Sequence, residues 1–401
     1  MRRINKIVLG ISSILLLIGI VTLGIYLYND YRVKHAIIKV ELIDDLDIEV
    51  YSDIKLKKLI KNINGTIIKD EKIDTSKLGK KKITFEYINE ENIKVPYTFY
   101  IYVVDTTPPL INYRDTLTLY KGYNGNIMNN FFCGDNYDDE PKCEIKGKYD
   151  VNTVGSYPVI FQAQDSEGNI STNNLTINII EKENINIESN SEPTYTYFND
   201  IINKHKTKDT KIGIDVSKWQ EDIDFKKVKD AGVEFAYIRV GYQKEIDGKY
   251  LIDEKFKRNI EGFNKENIKV GVYFYTYASN KKEIKDQVKW IVKQIKDYKI
   301  DLPIVFDWEN WDKYRDFNLS FYHLNELSKT FKEEVEKYKY KAMLYSSKYY
   351  LENVWLKQND PVWLAHYTEN TDYKGKYKIW QICDDGKIDG IQGTVDIDIM
   401  Y

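Results

Sequence analysis

Cysteine and histidine are both scarce in this 401-residue chain, which contains three of the former and four of the latter. The sequence has no Cys/His cluster, glycine-rich phosphate loop or other metal-binding spacing, so it predicts no cofactor and no metal. An excess of basic charge is also missing, because 59 Lys and Arg residues are offset by 62 Asp and Glu residues. Nucleic-acid-binding proteins normally carry a basic stripe, so no nucleic-acid partner is expected.

The three cysteines leave two possibilities open. Cys133 and Cys143 flank a short acidic segment and could form a small-loop disulfide if this part of the chain is exported. Sequence spacing alone does not guarantee the Cα separation that a disulfide needs, so two free thiols remain the alternative. Cys383 has no partner in the sequence and is predicted to be a small buried core residue.

A long uncharged run, residues 7–28, lies at the N-terminus behind Arg2, Arg3 and Lys6. As a helix it would rise about 33 Å, enough to cross a hydrocarbon core of roughly 30 Å. The preceding positive charges predict a single-pass topology with the N-terminus cytoplasmic and the rest of the chain extracellular. We therefore predict a cytoplasmic tip and an uncleaved transmembrane signal-anchor over residues 1–36, with a long cleaved signal peptide as the alternative.

A short repeat divides the region that follows. The segments Asp74–Gly79 and Asp150–Gly155 each end in glycine and lead into a strand-like run of alternating apolar residues. A turn followed by such a run predicts the entry to a β-hairpin, and the repeat predicts two all-β modules. The consecutive prolines Pro108 and Pro109 cannot lie in a central strand and suggest the joint between them. The predicted modules cover residues 37–105 and 106–182.

These modules resemble bacterial immunoglobulin-like cell-surface domains, the second through its Thr107-Pro-Pro109 start and its segment 154–165. Their role is interpreted as a stiff spacer, with wall or partner binding as the alternative. The polar residues 183–209 have no apolar periodicity and are predicted to be a linker.

The apolar pattern changes after residue 210. Strand-like runs now alternate with helical patterns, for example over 281–296 and 320–337. Asn280 is predicted to cap the first of these helices, with Glu283 three residues on in a capping-box arrangement. This alternation predicts a parallel sheet with helical crossovers. Eight such strands would close a barrel, but the final runs have no helices between them. The predicted fold is therefore multidomain, with a transmembrane helix, two immunoglobulin-like modules and an irregular α/β barrel resembling a TIM barrel over 210–401.

Four carboxylates lie at predicted strand ends of this barrel, where reactive groups of parallel barrels gather. They are Asp215, Asp307, Glu309 and Asp396. Residues i and i+2 of a strand face the same side, so Asp307 and Glu309 should project together into the barrel mouth. Paired carboxyls suit glycoside cleavage, because one must donate a proton and the others must stabilise an oxocarbenium-like transition state. Glu309 is the predicted acid.

The motifs around these carboxylates resemble those of glycoside hydrolase family 25, the Chalaropsis-type lysozymes. They are Gly213-Ile-Asp-Val-Ser-Lys-Trp-Gln220, Gly271–Ser279, Pro303-Ile-Val-Phe-Asp-Trp-Glu-Asn310, Tyr345-Ser346, Val362–Tyr367, Ile379-Trp-Gln381 and Gly390–Asp396. The likeness spans about 210–401 and implies hydrolysis of the β-1,4 bond from N-acetylmuramic acid to N-acetylglucosamine. It implies that Glu309 is the proton donor, that Asp307 orients the substrate or stabilises charge, and that Asp215 and Asp396 line the cleft.

The sequence departs from the family pattern at three positions. Ile382 and Cys383 replace the usual Tyr and Ser, and Asp398 stands where Asn is common. Four aromatic residues near strand ends, Tyr275, Tyr345, Trp363 and Trp380, are candidates for sugar contacts, with ordinary barrel packing as the alternative.

The leading functional prediction is a membrane-anchored muramidase whose partners are peptidoglycan strands and, through residues 7–28, the cell membrane. Two alternatives stay open, a wall-recognition protein that binds glycan without cutting it and a chitinase-like hydrolase. The intact set of four carboxylates argues against the former. The residues before Asp307, Ile304–Phe306, lack the alternating Asp residues expected of the latter.

Overall fold

The computed structural model describes residues 2–182, 194–357 and 360–401, with side chains described from residue 15 onward within those ranges. The chain divides into two compact units, Met1–Thr106 and Thr107–Tyr401.

The first unit begins with helix α1, Arg2–His35. The transmembrane anchor predicted within it is wrong, because no helix is apolar over enough of its described length to cross a membrane. The side chains of residues 7–14 lie outside the described part. The single-pass membrane location that depended on this anchor is wrong as well.

The rest of the first unit is a small β region. A four-stranded sheet has the order β2-β6-β5-β4, and β1 pairs separately with β3. The long hairpin β5–β6 buries one face, with Val95, Phe99 and Ile101 in the core, while Tyr100 and Tyr102 on the other face are exposed. The strands are β1 Val40–Leu42, β2 Asp47–Glu49, β3 Ile60–Ile63, β4 Gly65–Ile67, β5 Gly79–Asn89 and β6 Lys94–Val104.

The second unit begins with a similar β region. Its four-stranded sheet has the order β10-β11-β12-β8, and β7 pairs separately with β9. Phe161 and Ile177, on the long hairpin β11–β12, are completely buried in its core. The strands are β7 Leu110–Ile111, β8 Thr116–Tyr120, β9 Cys133–Gly134, β10 Lys142–Lys146, β11 Gly155–Gln164 and β12 Ile170–Ile180.

The prediction of two immunoglobulin-like modules is wrong. An immunoglobulin-like domain packs two antiparallel sheets of about seven strands in all. Each region here has one four-stranded sheet that includes a parallel pair, β2 with β6 and β8 with β12. The hairpins that the repeat predicts are present, since β5 begins at Gly79 and β11 at Gly155. A short motif specifies a local hairpin but not the order of strands in a sheet.

Eight further strands close a barrel in the order β14, β15, β17, β18, β19, β20, β21 and β22. Neighbours from β14 to β21 are parallel, and β22 closes the ring antiparallel to both β14 and β21. The eight barrel strands are β14 Lys211–Val216, β15 Phe235–Gln243, β17 Lys269–Tyr275, β18 Ile304–Asp307, β19 Ala342–Ser347, β20 Val362–Ala365, β21 Tyr377–Lys387 and β22 Val395–Met400. Two short strands pair outside the ring, β13 Thr196–Tyr197 with β21 and β16 Tyr250–Ile252 with β15. The irregular α/β barrel predicted from the sequence is confirmed.

The barrel's strands and helices follow from their sequences. Strands β18 and β20 are covered on both faces, which explains their unbroken apolar runs. The helices are α2 Phe198–His205, α3 Phe225–Asp230, α4 Phe256–Lys265, α5 Lys281–Ile295, α6 Phe321–Lys337 and α7 Lys348–Asn353. Asn280 caps α5 by accepting from the Glu283 N–H, as predicted. The Glu283 carboxylate accepts from Ser279 N–H instead of completing a capping box.

The predicted linker, residues 183–209, contains structured chain. Residues 183–193 lie outside the described part. Beyond them α2 packs on the barrel and buries Phe198 and Ile201 in its core. The end of this segment therefore contributes to the barrel's stability.

The loop of residues 132–141, which contains the short strand β9 and leads into β10, also joins the barrel core. Phe132 is 5% exposed, and its ring stacks on Phe321 at a centroid distance of 6.2 Å and lies 5.4 Å from Tyr314. A Cβ at Gly134 would lie 2.6 Å from the Phe321 ring, so the close approach requires glycine. Asp139 Oδ1 accepts hydrogen bonds from Ser320 N–H and His323 Nδ1–H, each at 2.6 Å. The loop thus covers the start of α6.

Cys133 and Cys143 form a disulfide that ties this loop to its own sheet. A closed loop of this size restricts the unfolded chain and stabilises the fold by about 3 kcal/mol. Of the two possibilities that the sequence left open, the structure has the disulfide. Cys383 is buried, as predicted.

Substitution of Phe132 by Ala is expected to destabilise the second unit by about 3–5 kcal/mol, because it opens a cavity in the aromatic core beneath α6. Denaturant unfolding of the full chain, followed by tryptophan fluorescence, measures the loss. Tyr113→Ala, which removes an aromatic ring that is 70% exposed, is the control and should change stability little. Equal stability of both variants would show that the loop merely rests on the barrel.

Candidate active site

The four predicted carboxylates meet at one end of the barrel. Asp215 lies near the C-terminal end of β14, Asp307 ends β18, and Glu309 follows two residues later. Asp396 lies near the start of β22, which is antiparallel, so its beginning faces the same end of the barrel. In the strand register Asp215 pairs with Asp396, which places both on the same face of the sheet.

These carboxylates line a single cavity with about 340 Å³ of empty space. The sequence-predicted aromatic residues Tyr345 and Trp363 line it too. The complete lining is Asp215, Tyr273, Val305, Asp307, Glu309, Tyr345, Trp363, Gln381 and Asp396. Most of these side chains are buried, whereas Glu309 is solvent-exposed at the opening. Glu309 is thus the carboxyl of the set that an incoming ligand reaches most readily.

Gln381 links the carboxylates to two tyrosines. Its Nε2–H group donates to Asp215 Oδ2 at 2.8 Å and to Asp396 Oδ2 at 3.2 Å. Its Oε1 accepts from the Tyr345 hydroxyl at 2.9 Å and the Tyr367 hydroxyl at 3.0 Å. All of the amide's main hydrogen-bonding positions are used, so Gln381 fixes two acidic side chains and two phenols in one arrangement.

Asp307 and Glu309 form a coupled pair. Burial, and then the neighbouring charge of Glu309, raise the pKa of Asp307 well above its ordinary value, against a smaller opposing effect of Arg239. Glu309 is reachable from the opening, but the cavity walls around its carboxyl displace water and raise its pKa, and a hydrogen bond from Asp307 partly offsets this rise. Two carboxyls in such contact retain a proton between them well above the pH at which an isolated carboxyl loses it.

The carboxyls on the opposite side of the cavity also have raised pKa values. Burial raises the pKa of Asp215 well above its usual range, and the charge of Asp398 adds to the effect. Burial and the charge of Asp215 raise the pKa of Asp396 to about 9. Arg239, the cation that acts on Asp307, forms its own ion pair with Asp253 at 2.7 Å. The cavity therefore holds protons at neutral pH through desolvation and mutual repulsion.

The predicted aromatic contacts divide into two groups. Tyr345 and Trp363 line the cavity, and Tyr275 lies beside it, with its hydroxyl donating to Asn310 Oδ1 at 3.2 Å. Trp380 lies elsewhere, because its indole N–H donates to the His366 carbonyl and its ring packs edge-on against His205. Strand alternation explains the difference, since Gln381 faces the cavity and its neighbour Trp380 must face outward.

Sequence reasoning missed four residues of the site, Tyr273, Tyr367, Gln381 and Asp398. Two could have been found from alternation along a strand. Tyr273 is two residues from Tyr275 on β17, and Asp398 is two residues from Asp396 on β22. Gln381 and Tyr367 are recognisable only once the barrel brings β21 and the end of β20 together.

Comparison with known proteins identifies the domain that carries this site. The model of the family "Glycosyl hydrolases family 25" matches residues 214–391. The uncharacterized protein YegX of Escherichia coli is 32% identical over 197 residues, which cover 47% of this chain and 68% of that protein. The chain belongs to glycosyl hydrolases family 25. The family resemblance of the motifs and the prediction of a glycoside hydrolase are confirmed.

Other proteins are similar to this chain at lower sequence identity. The autolytic lysozyme of Clostridium acetobutylicum is 24% identical over 189 residues, and the match covers 46% of this chain and about half, 54%, of that enzyme. Among solved structures, the autolysin LytC of Streptococcus pneumoniae with a synthetic peptidoglycan ligand is 23% identical, with a TM-score of 0.44 and coverage of 60% of this chain and 56% of that one. A family 25 hydrolase of Bacillus anthracis is 21% identical, with a TM-score of 0.41 and coverage of 53% and 94%.

Proposed function

We propose that this family 25 hydrolase is a muramidase, which cleaves the β-1,4 bond between N-acetylmuramic acid and N-acetylglucosamine in peptidoglycan and so remodels or locally opens the cell wall. The observation that carries the proposal is one cavity with four carboxyls, of which Glu309 is the most exposed to solvent. The autolytic lysozyme among the relatives supports the choice of a wall glycan as substrate.

In the proposed reaction Glu309 donates a proton to the glycosidic oxygen as the bond to the muramic acid carbon breaks. The proton is available at neutral pH because Glu309 and Asp307 retain it between them. Asp307 then carries the negative charge beside the developing oxocarbenium-like centre or orients the substrate's N-acetyl group. Water adds to that carbon, and its proton returns to the carboxyl pair, so the enzyme is restored.

Asp215 and Asp396 have a supporting role in this proposal. They form the opposite side of the cavity and are held by the Gln381 amide. Their carboxyl oxygens present a negative potential to the cavity even where a proton is retained. Such a potential stabilises a positively charged transition state more than the neutral substrate, which is the requirement for catalysis. Tyr345 and Trp363 line the same cavity and are the aromatic side chains available there to contact a sugar ring.

Analysis of the reducing ends released from purified peptidoglycan tests the bond specificity. A muramidase releases fragments that end in N-acetylmuramic acid, and borohydride reduction followed by mass spectrometry identifies them. Fragments ending in N-acetylglucosamine would contradict the proposal. Turnover of chitin at a comparable rate would favour the chitinase-like alternative, and binding to peptidoglycan without any cleavage would favour the non-catalytic one.

A further inference from the structure

Asp398 is a fifth carboxyl beside the active-site set. It lies on β22 two residues after Asp396, opposite Gly213 on β14 and Gln381 on β21. Residues i and i+2 share a face, so Asp398 lies on the same face as Asp396 and diagonally across from Asp215. Its side chain is completely buried. The resemblance to family 25 leads us to expect Asn at this position, so the carboxyl departs from the common family pattern.

The contacts of Asp398 leave one of its oxygens facing another acid. The Trp363 indole N–H donates to Asp398 Oδ1 at 2.8 Å. Asp398 Oδ2 is buried and receives no N–H or O–H donor from the described residues. The carboxyl of Asp215 lies in hydrogen-bonding contact with Asp398. Contact between two buried carboxyls is favourable only when one of them is protonated and donates to the other.

Within the described part of the chain, the groups that act on Asp398 supply no compensating positive charge. The groups acting on it are Asp215 from β14, Tyr237 from β15, Trp363 from β20 and Asp396 from its own strand. None of them is a cation. Burial, reinforced by the charge of Asp396, raises the pKa of Asp398 well above its ordinary value. A fully ionised pair of Asp215 and Asp398 would be two buried charges in contact, which protein interiors avoid.

We propose that Asp215 and Asp398 share one proton at neutral pH, and that Asp398 is a positioning residue that fixes the Asp215 carboxyl in the active site. Asp215 is then held from two sides, by the Gln381 amide at 2.8 Å and by Asp398. The pair carries one negative charge instead of two, which limits the repulsion of the substrate-facing acids. The role in positioning rests on the proposed muramidase activity, whereas the shared proton does not.

The shared proton predicts how stability depends on pH. A carboxyl whose folded pKa is raised above its unfolded value of about 4 binds more protons when folded. Its contribution to stability is complete below the unfolded pKa and is lost as pH rises toward the folded pKa. The wild type should therefore lose more stability between pH 5 and pH 8 than Asp398→Asn, in which the amide donates to Asp215 without an ionisable proton.

Thermal unfolding of the full chain at intervals from pH 5 to pH 8 measures this difference. Asp398→Asn should raise Tm relative to the wild type, and the gain should grow steadily with pH. Asp297→Asn, which removes an exposed carboxyl from the same barrel, is the matched control and should follow the wild-type curve. A constant difference between Asp398→Asn and wild type at every pH would overturn the shared proton.

Activity on peptidoglycan tests the positioning role. Asp398→Leu and Asp398→Ser should lower kcat at least 30-fold with little change in KM, because Asp215 loses its second partner. Asp398→Asn should retain at least a third of the wild-type kcat, since its amide can donate to Asp215. Full activity of the Leu or Ser variant would overturn the positioning role. Absence of cleavage by the wild type, with the pH-dependent Tm difference intact, would instead contradict the proposed function and leave the shared proton standing.

Discussion

Substitution of Glu309 by Gln is expected to lower kcat on peptidoglycan about a thousandfold. The glutamine amide has nearly the shape of the protonated acid but cannot transfer a proton to the glycosidic oxygen. Because Glu309 lies exposed at the cavity opening, the change leaves the barrel core intact. KM and Tm should therefore change little. Turbidity loss of a peptidoglycan suspension, with release of reducing ends as a second assay, measures the effect.

The matched control for this experiment is Glu261→Gln, which changes an exposed glutamate on α4 away from the cavity. It should retain wild-type kcat. A Glu309→Gln variant that keeps more than a tenth of the wild-type rate would show that another group protonates the leaving oxygen. Asp307 would be the first residue to test in that case, since it shares the proton.

Replacing Gln381 with Leu is expected to lower kcat/KM about a hundredfold and the free energy of unfolding by about 2–4 kcal/mol. The substitution removes the amide that donates to Asp215 and Asp396 and accepts from Tyr345 and Tyr367. The buried acceptors and donors left behind lose their partners and the carboxylates lose their fixed orientation. Kinetics on peptidoglycan and denaturant unfolding measure the two effects separately.

Gln392→Leu is the control for Gln381→Leu, because it makes the same change at an exposed position of the loop before β22. It should leave both activity and stability near wild-type values. Wild-type kinetics for Gln381→Leu would mean that strand geometry alone holds Asp215 and Asp396 in place. The arrangement described for the cavity would then be a consequence of packing rather than of this hydrogen-bond network.

The sequence predicts best those features that depend on nearby residues. The Asn280 cap, the hairpins starting at Gly79 and Gly155 and the inward pairing of Asp307 with Glu309 all follow from spacings of a few residues. Strands and helices alternate along the sequence up to β20, and the last strands follow one another without helices between them. This pattern was sufficient to predict an irregular barrel. The carboxylates at strand ends then had to meet, because parallel strands end at one side of a barrel.

Features that depend on contacts between distant residues could not be predicted from the sequence. Phe132 is part of the barrel core although it belongs to a loop of the preceding β region, and no local pattern indicates which surface it covers. The order of strands in the two small sheets is likewise set by non-local pairing, so a hairpin motif led to the wrong domain type. Trp380 was misplaced for a different reason, because alternation with Gln381 was not applied.

In the proposed reaction, Glu309 supplies the proton that makes the glycosidic oxygen a leaving group. Comparing wild type and Glu309→Gln on peptidoglycan and on a nitrophenyl β-glycoside with N-acetylmuramic acid as the donor sugar tests it most directly. Nitrophenolate leaves without protonation. The kcat of the variant should therefore fall about a thousandfold on peptidoglycan but less than about tenfold on the nitrophenyl substrate. An equal loss on both substrates would contradict the assignment of Glu309 as the acid.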